Sequence, residues 1–489
     1  MAAASANRGY TGFGSFHSEM SVEDMVASVA KHGCMPVEVF TPPAAAAAVE
    51  QFADKSTKEP GSADYKAQNF FINDEWTFVN HGAFGGAHRL GMQVAAAWRE
   101  HCETQPLTFV DRQLFAAYTN ALWQAADHVG SCPSHMVFTP NCTTGMNAVL
   151  GSMDFSAKGV YMLDIGYGSV KKMTQAYAAR VRTQGSEGEA TDPPVHMQHV
   201  PLPLPADWQT RLLQLVEATL DPARTALAVF DHITSNTALL LPVQELVDIC
   251  HRKGVPVMID GAHAWGSTPL QLDKLGADYY VSNGHKWLCC PKGVALLHVP
   301  DAARRAACKA PIVSHGWDHG FHSAFVWDGC RDYAPVLAVP ALLQWWRQHG
   351  ESARQHCADT KACAVDMLSA AWGTGLMAPA SAYGPMVLLQ CPRGVVGAVS
   401  EDEGAHAAAR TGAANTAGSW IDAPAGPFKS EHGKMLQDCL HFEHKVEVPV
   451  KCLNGWLYLR ISFAPYNCKQ DYEQLRDAIL AIQHGGGVQ

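Results

Sequence analysis

Three stretches of this sequence end an apolar run in residues that can do chemistry. Val257-Met258-Ile259 runs into Asp260 and then Gly261-Ala262-His263. Tyr279-Tyr280-Val281-Ser282 runs into Asn283-Gly284-His285-Lys286-Trp287. Met136-Val137-Phe138 leads to Asn141-Cys142-Thr143-Thr144-Gly145, a helix-start pattern. A lysine at an apolar strand end can lose its proton through desolvation, as a Schiff-base lysine must. An aspartate on a pyridine nitrogen keeps that nitrogen protonated, which turns the ring into an electron sink. A helix N-terminus flanked by hydroxyls binds anions. Each feature alone has a plainer reading: a turn-capping aspartate, a solvated lysine, an ordinary helix start. In combination they describe the pyridinium, amine and phosphate partners of pyridoxal phosphate.

The elements that must position these residues are legible as short apolar runs at 136–139, 160–164, 226–230, 255–260, 279–282 and 294–298. Helical patterns separate them, for example at 212–220 and 243–252, after earlier ones at 91–103 and 115–129. Strands that are apolar throughout and spaced by helices imply an α/β fold with a mostly parallel sheet covered on both faces. Ligands of such sheets bind at the carboxyl ends of the strands, where the polar residues above stand. The expected organisation is an N-terminal extension over 1–68, without functional assignment, then a large cofactor-binding domain over 69–325. A smaller C-terminal α/β domain over 326–489 follows, with an insertion at 394–428 rich in Ala, Gly, Ser and charge.

Composition narrows the class. Of 489 residues, 47% are apolar, enough to offset the entropy of folding, so a disordered chain is excluded. The 36 Lys and Arg against 46 Asp and Glu give a charge of −10 with no basic stripe, which argues against nucleic acid as a partner. The longest apolar stretches, such as 336–346, have about half of the ~20 residues that cross a bilayer, so no membrane partner is expected. Fifteen scattered cysteines without a C-x-x-C pair read as free thiols of a reducing compartment. The N-terminus lacks an apolar signal core and turns acidic at Glu19, Glu23 and Asp24, so the cytoplasm is expected.

Longer motifs carry a family resemblance. Phe230-Asp231-His232-Ile233-Thr234-Ser235, Asp260-Gly261-Ala262-His263-Ala264-Trp265-Gly266, His285-Lys286-Trp287 and Pro291-Lys292-Gly293 resemble the class V aminotransferase superfamily. This is fold type I of the pyridoxal phosphate enzymes. Asn80-His81-Gly82-Ala83-Phe84-Gly85, Trp327-Asp328-Gly329-Cys330-Arg331-Asp332-Tyr333 and Leu459-Arg460-Ile461-Ser462 resemble motifs of its isopenicillin N epimerase-like branch, which also holds cysteine desulfhydrases. The similarity runs from about residue 70 to the end, apart from the insertion. It implies a homodimer acting on an amino acid, chiefly a C–S lyase that removes the α-proton and eliminates a β-sulfur group. Epimerase, cysteine desulfurase and aminotransferase chemistry share the same start. A non-catalytic relative with this fold is disfavoured because both Asp260 and Lys286 are kept.

The resemblance also assigns roles. Lys286 binds the cofactor covalently and shuttles the α-proton, Asp260 holds the pyridinium nitrogen, and His263 lies near the phenolic oxygen. Cys142, Thr143, Asn283 and His285 surround the phosphate, Tyr167 stacks on the ring, and Ser235 meets the phenolic oxygen. Arg460, inside an apolar strand, clamps the substrate carboxylate, since an unpaired buried guanidinium would be costly. Asn80 and His81 line the substrate side. The chain departs from the family at Cys330, where a threonine usually reaches the neighbouring subunit's phosphate; a thiol donates a weaker hydrogen bond. Two further clusters get plain readings. His315, His319 and His322 with Asp318 lie among glycines at a spacing unlike known ligand sets, so no metal is expected. Ile165-Gly166-Tyr167-Gly168 lacks the third glycine of a dinucleotide fingerprint.

Overall fold

The computed structural model describes residues 20–55, 59–182, 194–397 and 426–488. Its strands are β1 (Thr77–Phe78), β2 (Met136–Thr139), β3 (Gly159–Leu163), β4 (Val195–Gln198), β5 (Thr225–Asp231) and β6 (Val257–Asp260). They continue with β7 (Tyr279–Asn283), β8 (Ala295–His298), β9 (Met386–Gln390), β10 (Val446–Glu447), β11 (Val450–Leu453) and β12 (Trp456–Ser462). Seven of them form the main sheet in the order β2-β8-β7-β6-β5-β3-β4. Every pairing in it is parallel except those of β8, which runs against both β2 and β7. The α/β class expected from the apolar runs is the class observed.

Both faces of this sheet are covered, which is why its strands carry so few polar residues. Phe138, Phe230, Ile259, Tyr280 and Leu296 belong to one core. Their strand neighbours Val137, Val229, Met258, Val281 and Leu297 belong to a second core on the opposite face. Successive strand side chains point to opposite faces, so a run of apolar residues serves both cores at once. The edge strand β4 is the exception; its residues are half-buried, and Met197 is exposed.

Within the segment expected as an N-terminal extension, the described helices pack on the rest of the fold. The helix Val22–His32, capped by Ser21, buries Val22, Met25, Val26 and Val29. It packs on the helices Leu114–His128 and Phe321–Val326, while Pro43–Lys55 packs on Arg89–Thr104. Glu23 fixes the first contact, accepting from His322 Nδ1 at 2.7 Å and from the Ser323 N–H at 2.9 Å. His322 Nε2 lies 3.4 Å from the Pro133 carbonyl, so both of its nitrogens serve the packing.

Toward the C-terminus, β11-β12-β9 form an antiparallel sheet bordered by the helix Ser430–Phe442. The 34-residue helix Val339–Trp372 packs on both Leu114–His128 and Lys469–His484 and so links the two regions. The expected boundary near 325 is crossed in the other direction too: β1 pairs in parallel with β10, Thr77 opposite Val446. Of the insertion expected at 394–428, residues 398–425 lie outside the described residues. Its flanks are tied down, Gly397 N–H to the Val488 carbonyl and Phe428 N–H to that of Gly455. No helix among the described residues is long and apolar enough to cross a membrane.

Candidate active site

The two-residue period of the main sheet sets the site. Val229, Met258 and Val281 point into the core that also contains Cys142 and Met146 of the helix Cys142–Gly151. Two residues further along, Asp231, Asp260 and Asn283 therefore project toward the start of that helix. Asn283 Oδ1 accepts the Cys142 N–H at 3.0 Å, and the Asn141 side chain accepts the Thr144 N–H at 2.9 Å. The Thr143 amide is the one in this first turn without a partner among the described residues, and Thr143 is exposed. An anion arriving there meets a free N–H and the positive end of the helix.

Lys286 follows β7 and is held at both ends. Its Nζ lies 3.1 Å from His263 Nε2, and its carbonyl accepts from His81 Nε2 at 2.9 Å. The Trp287 indole N–H donates to His263 Nδ1 at 3.3 Å. An acceptor nitrogen carries no hydrogen, so the neutral His263 ring has its proton on Nε2, facing the amine. That donor suits a neutral Lys286 and repels a charged one. Burial, the largest cause, brings Lys286 down from 10.5 to about 8, and it pushes His263 well below its usual value. A turn passes directly against this backbone at Gly85, whose φ is +70°; a Cβ there would sit 2.0 Å from the His285 carbonyl oxygen.

Asp260 is 4% exposed and accepts the Ala262 N–H at 3.0 Å; its carboxylate makes no other hydrogen bond among the described residues. Burial raises its pKa, opposed by that N–H and by the Lys286 charge. Asp231, which sequence reasoning quoted but gave no role, is its register partner on β5 and is equally buried. Burial first and the Asp260 charge second push the Asp231 carboxyl well above the ordinary range. The sequence signal for it existed: an aspartate ending an apolar strand, as at Asp260.

Arg460 in β12 is 4% exposed, and burial lowers its pKa to about 10. Nη1 donates to the Ser235 carbonyl at 2.6 Å and Nη2 to Asn80 Oδ1 at 3.1 Å, while Nε is buried without a partner. Among the described residues no carboxylate pairs with it. Asn80 in turn donates to Glu447 Oε1 at 3.0 Å, and Glu447 Oε2 meets His441 Nδ1 at 2.9 Å. A buried, uncompensated guanidinium is unfavourable unless an anion joins it.

The structure places the other expected residues as follows. Both His81 nitrogens are hydrogen-bonded within the protein: Nδ1 accepts from Tyr466 Oη at 2.9 Å and the Gly86 N–H at 3.3 Å, and Nε2 meets the Lys286 carbonyl. Asn80 bridges Arg460 and Glu447. Asn283 presents its oxygen to Cys142, so it fixes the helix start and does not face outward with that atom. Ser235 enters through its carbonyl. Tyr167 is 40% exposed after β3, and its N–H lies 3.3 Å from Asp231 Oδ1. His285 Nδ1 is buried and without a partner among the described residues. Cys330 is exposed, next to Gly329 and between Asp328 and Arg331, which pair at 2.8 Å. Trp287, Tyr466 and Glu447 were not anticipated as parts of the site.

The donor set fits pyridoxal phosphate. Asp260 has a buried carboxylate that accepts a single N–H among the described residues, Lys286 has an amine near neutrality, and the helix start has an N–H without a partner among the described residues. The orphaned His285 and Arg460 nitrogens are two more places where a polar partner is missing. Comparisons agree with this reading of the fold. Residues 196–475 match the family model Aminotransferase class-V. The chain is 30% identical over 447 residues to the L-cysteine desulfhydrase of Arabidopsis thaliana, covering 83% of this chain and 87% of the relative. It is 28% identical over 398 residues to the isopenicillin N epimerase of Amycolatopsis lactamdurans, covering 77% and 88%. Among solved structures, the cystine C–S lyase C-DES with its product cysteine persulfide superposes with a TM-score of 0.62 at 18% identity, over 83% of this chain and 97% of that one. With the strand-end aspartate, lysine and helix start in their expected places, the chain belongs to the class V aminotransferase family.

Proposed function

We propose that this protein is a pyridoxal-phosphate-dependent lyase that cleaves the carbon–sulfur bond of a cysteine-type amino acid. The observation that carries this is Lys286, an amine brought near neutrality and hydrogen-bonded to His263 beside the buried Asp260. The bound cofactor would supply an aldehyde that captures amines and a ring that withdraws electrons from the substrate α-carbon. Asp260 would hold the ring nitrogen protonated. Thr143 and His285 would bind the phosphate, with Cys142 and Asn283 keeping the helix start in place. Tyr167 would cover the ring, and His263 and Ser235 would lie on its phenolic side. Arg460 would take the substrate carboxylate, oriented by Asn80, while His81 fixes the Lys286 backbone.

Lys286 as a neutral base would remove the α-proton. The β-sulfur then leaves with the bonding electrons, and hydrolysis completes the balance: cysteine and water give pyruvate, ammonia and hydrogen sulfide. The similarity to plant cysteine desulfhydrase favours this outcome. Epimerisation is the second reading, favoured by the similarity to isopenicillin N epimerase; there the proton returns to the other face. We further propose a homodimer working in the cytoplasm, the latter because all fifteen cysteines are free thiols.

The deciding assay supplies L-cysteine and an S-substituted cysteine sulfoxide to the holoenzyme and measures pyruvate, ammonia and sulfur product together. Stoichiometric pyruvate and ammonia are expected. Alanine with sulfane sulfur would make it a desulfurase, and solvent deuterium at the α-carbon without pyruvate an epimerase. Lys286→Ala should lose both the visible cofactor band and turnover while keeping its circular dichroism.

A further inference from the structure

The two-residue strands β1 and β10 bring one acid to the edge of the site. Their parallel pairing sets Phe78 opposite Glu447, and the Val79 N–H donates to the Glu447 carbonyl at 3.2 Å. Asn80 comes next in the chain, and its Nδ2 donates to Glu447 Oε1 at 3.0 Å. Its Oδ1 accepts from Arg460 Nη2 at 3.1 Å. The amide can stand only one way round between these two groups. A guanidinium only donates and a carboxylate only accepts, so the oxygen must face Arg460 and the nitrogen Glu447. The carboxylate is itself held: Oε2 meets His441 Nδ1 at 2.9 Å, and the His441 ring lies against Trp76 with centroids 4.5 Å apart.

A half-exposed Glu–His pair on a surface would ordinarily contribute little. Here the other glutamate oxygen reaches inward to Asn80, 8% exposed, and through it to Arg460, 4% exposed. The neutral amide in the middle has a physical reason. A carboxylate set directly on the Arg460 fork would occupy donors that a substrate carboxylate needs. One amide away, Glu447 still offers a negative charge to the buried guanidinium, while Arg460 Nε is left without a partner. We propose that Glu447 is a positioning residue for Arg460: through Asn80 it holds the guanidinium in the orientation that receives the substrate carboxylate.

This inference rests on the reading of Arg460 as the clamp for the substrate carboxylate, and one set of titrations separates the two. The cofactor-loaded protein is titrated with L-alanine and with ethylamine, which differ only by the carboxylate, and the shift of the visible cofactor band is followed. Glu447→Gln should weaken L-alanine about tenfold and leave ethylamine within about twofold. With L-cysteine as substrate, the same variant should raise KM and leave kcat nearly unchanged. Asn80→Ala should weaken L-alanine by itself, and adding Glu447→Gln to it should change nothing further. Glu447→Asp keeps the charge but falls short of Asn80, so it should show the same selective loss even if Glu447→Gln does not fold. A loss shared equally by the two amines, no loss at all, or a full further loss in the Asn80→Ala background overturns the proposal. Failure of the underlying reading looks different: Arg460→Lys then weakens L-alanine and ethylamine alike, which removes the clamp and with it the role of Glu447.

Discussion

In the unfolded chain Lys286 titrates near the ordinary lysine value of 10.5; in the fold burial brings it to about 8. Between those values the unfolded state binds a proton that the folded state does not, so apoprotein stability gains with rising pH across that window. Below about 8 both states are protonated and the contribution is flat, its unfavourable buried charge fully present. Lys286→Met should remove this slope, measured by denaturant unfolding of both apoproteins at either end of the window; an unchanged slope would show that Lys286 titrates normally. Arg460 is governed by the same penalty with the opposite remedy, because a guanidinium stays charged and waits for an anion. Arg460→Lys keeps the charge but loses the planar fork held by Asn80 and Ser235. It should lower kcat/KM by about 30-fold, roughly 2 kcal/mol, mainly through KM.

At the scale of elements, packing far from the site supports the fold. The helix Val22–His32 seats Met25 at 1% exposure against the layer that carries the start of β2, and Glu23 locks it to His322. Met25→Ala leaves a cavity in that contact and should cost about 3 kcal/mol of stability, with a lower Tm and little change in KM. A selective rise in KM would mean that this helix communicates with the site. Close to the chemistry, the turn at 81–85 does the comparable work. Its His81 and Gly85 both contact the His285-Lys286 backbone, so the position of the amine is set by a segment some two hundred residues earlier.

For the molecule as a whole, the chain alone leaves large apolar side chains exposed: Phe84, within the Asn80–Gly85 motif, is 73% exposed and Leu107 66%. Exposed apolar surface of this kind suits a subunit contact, and the exposed Cys330 stands in the motif expected to reach a neighbouring cofactor. Sedimentation should therefore give twice the chain mass, and Cys330→Thr should tighten cofactor binding by restoring a stronger donor. An active monomer would count against the assembly.

Local pattern was enough wherever one segment settles the physics. Apolar runs bounded by turns marked six strands of the main sheet, because a strand covered on both faces must be apolar throughout. Asp260 and Lys286 were legible as strand-end residues because each closes or follows such an apolar run. What depends on neighbours in space was not legible. The half-buried β4 has no such run, and the two-residue strands β1 and β10 exist only through each other. The helix Val22–His32 read as an extension because its partners lie near residues 120 and 322. Asn283 and Cys142, 141 residues apart, are joined by one hydrogen bond. Asp231 became notable only once β5 lay in register beside β6. Strand order and register are decided by long-range packing, which brings together groups whose separation along the chain gives no sign of their contact.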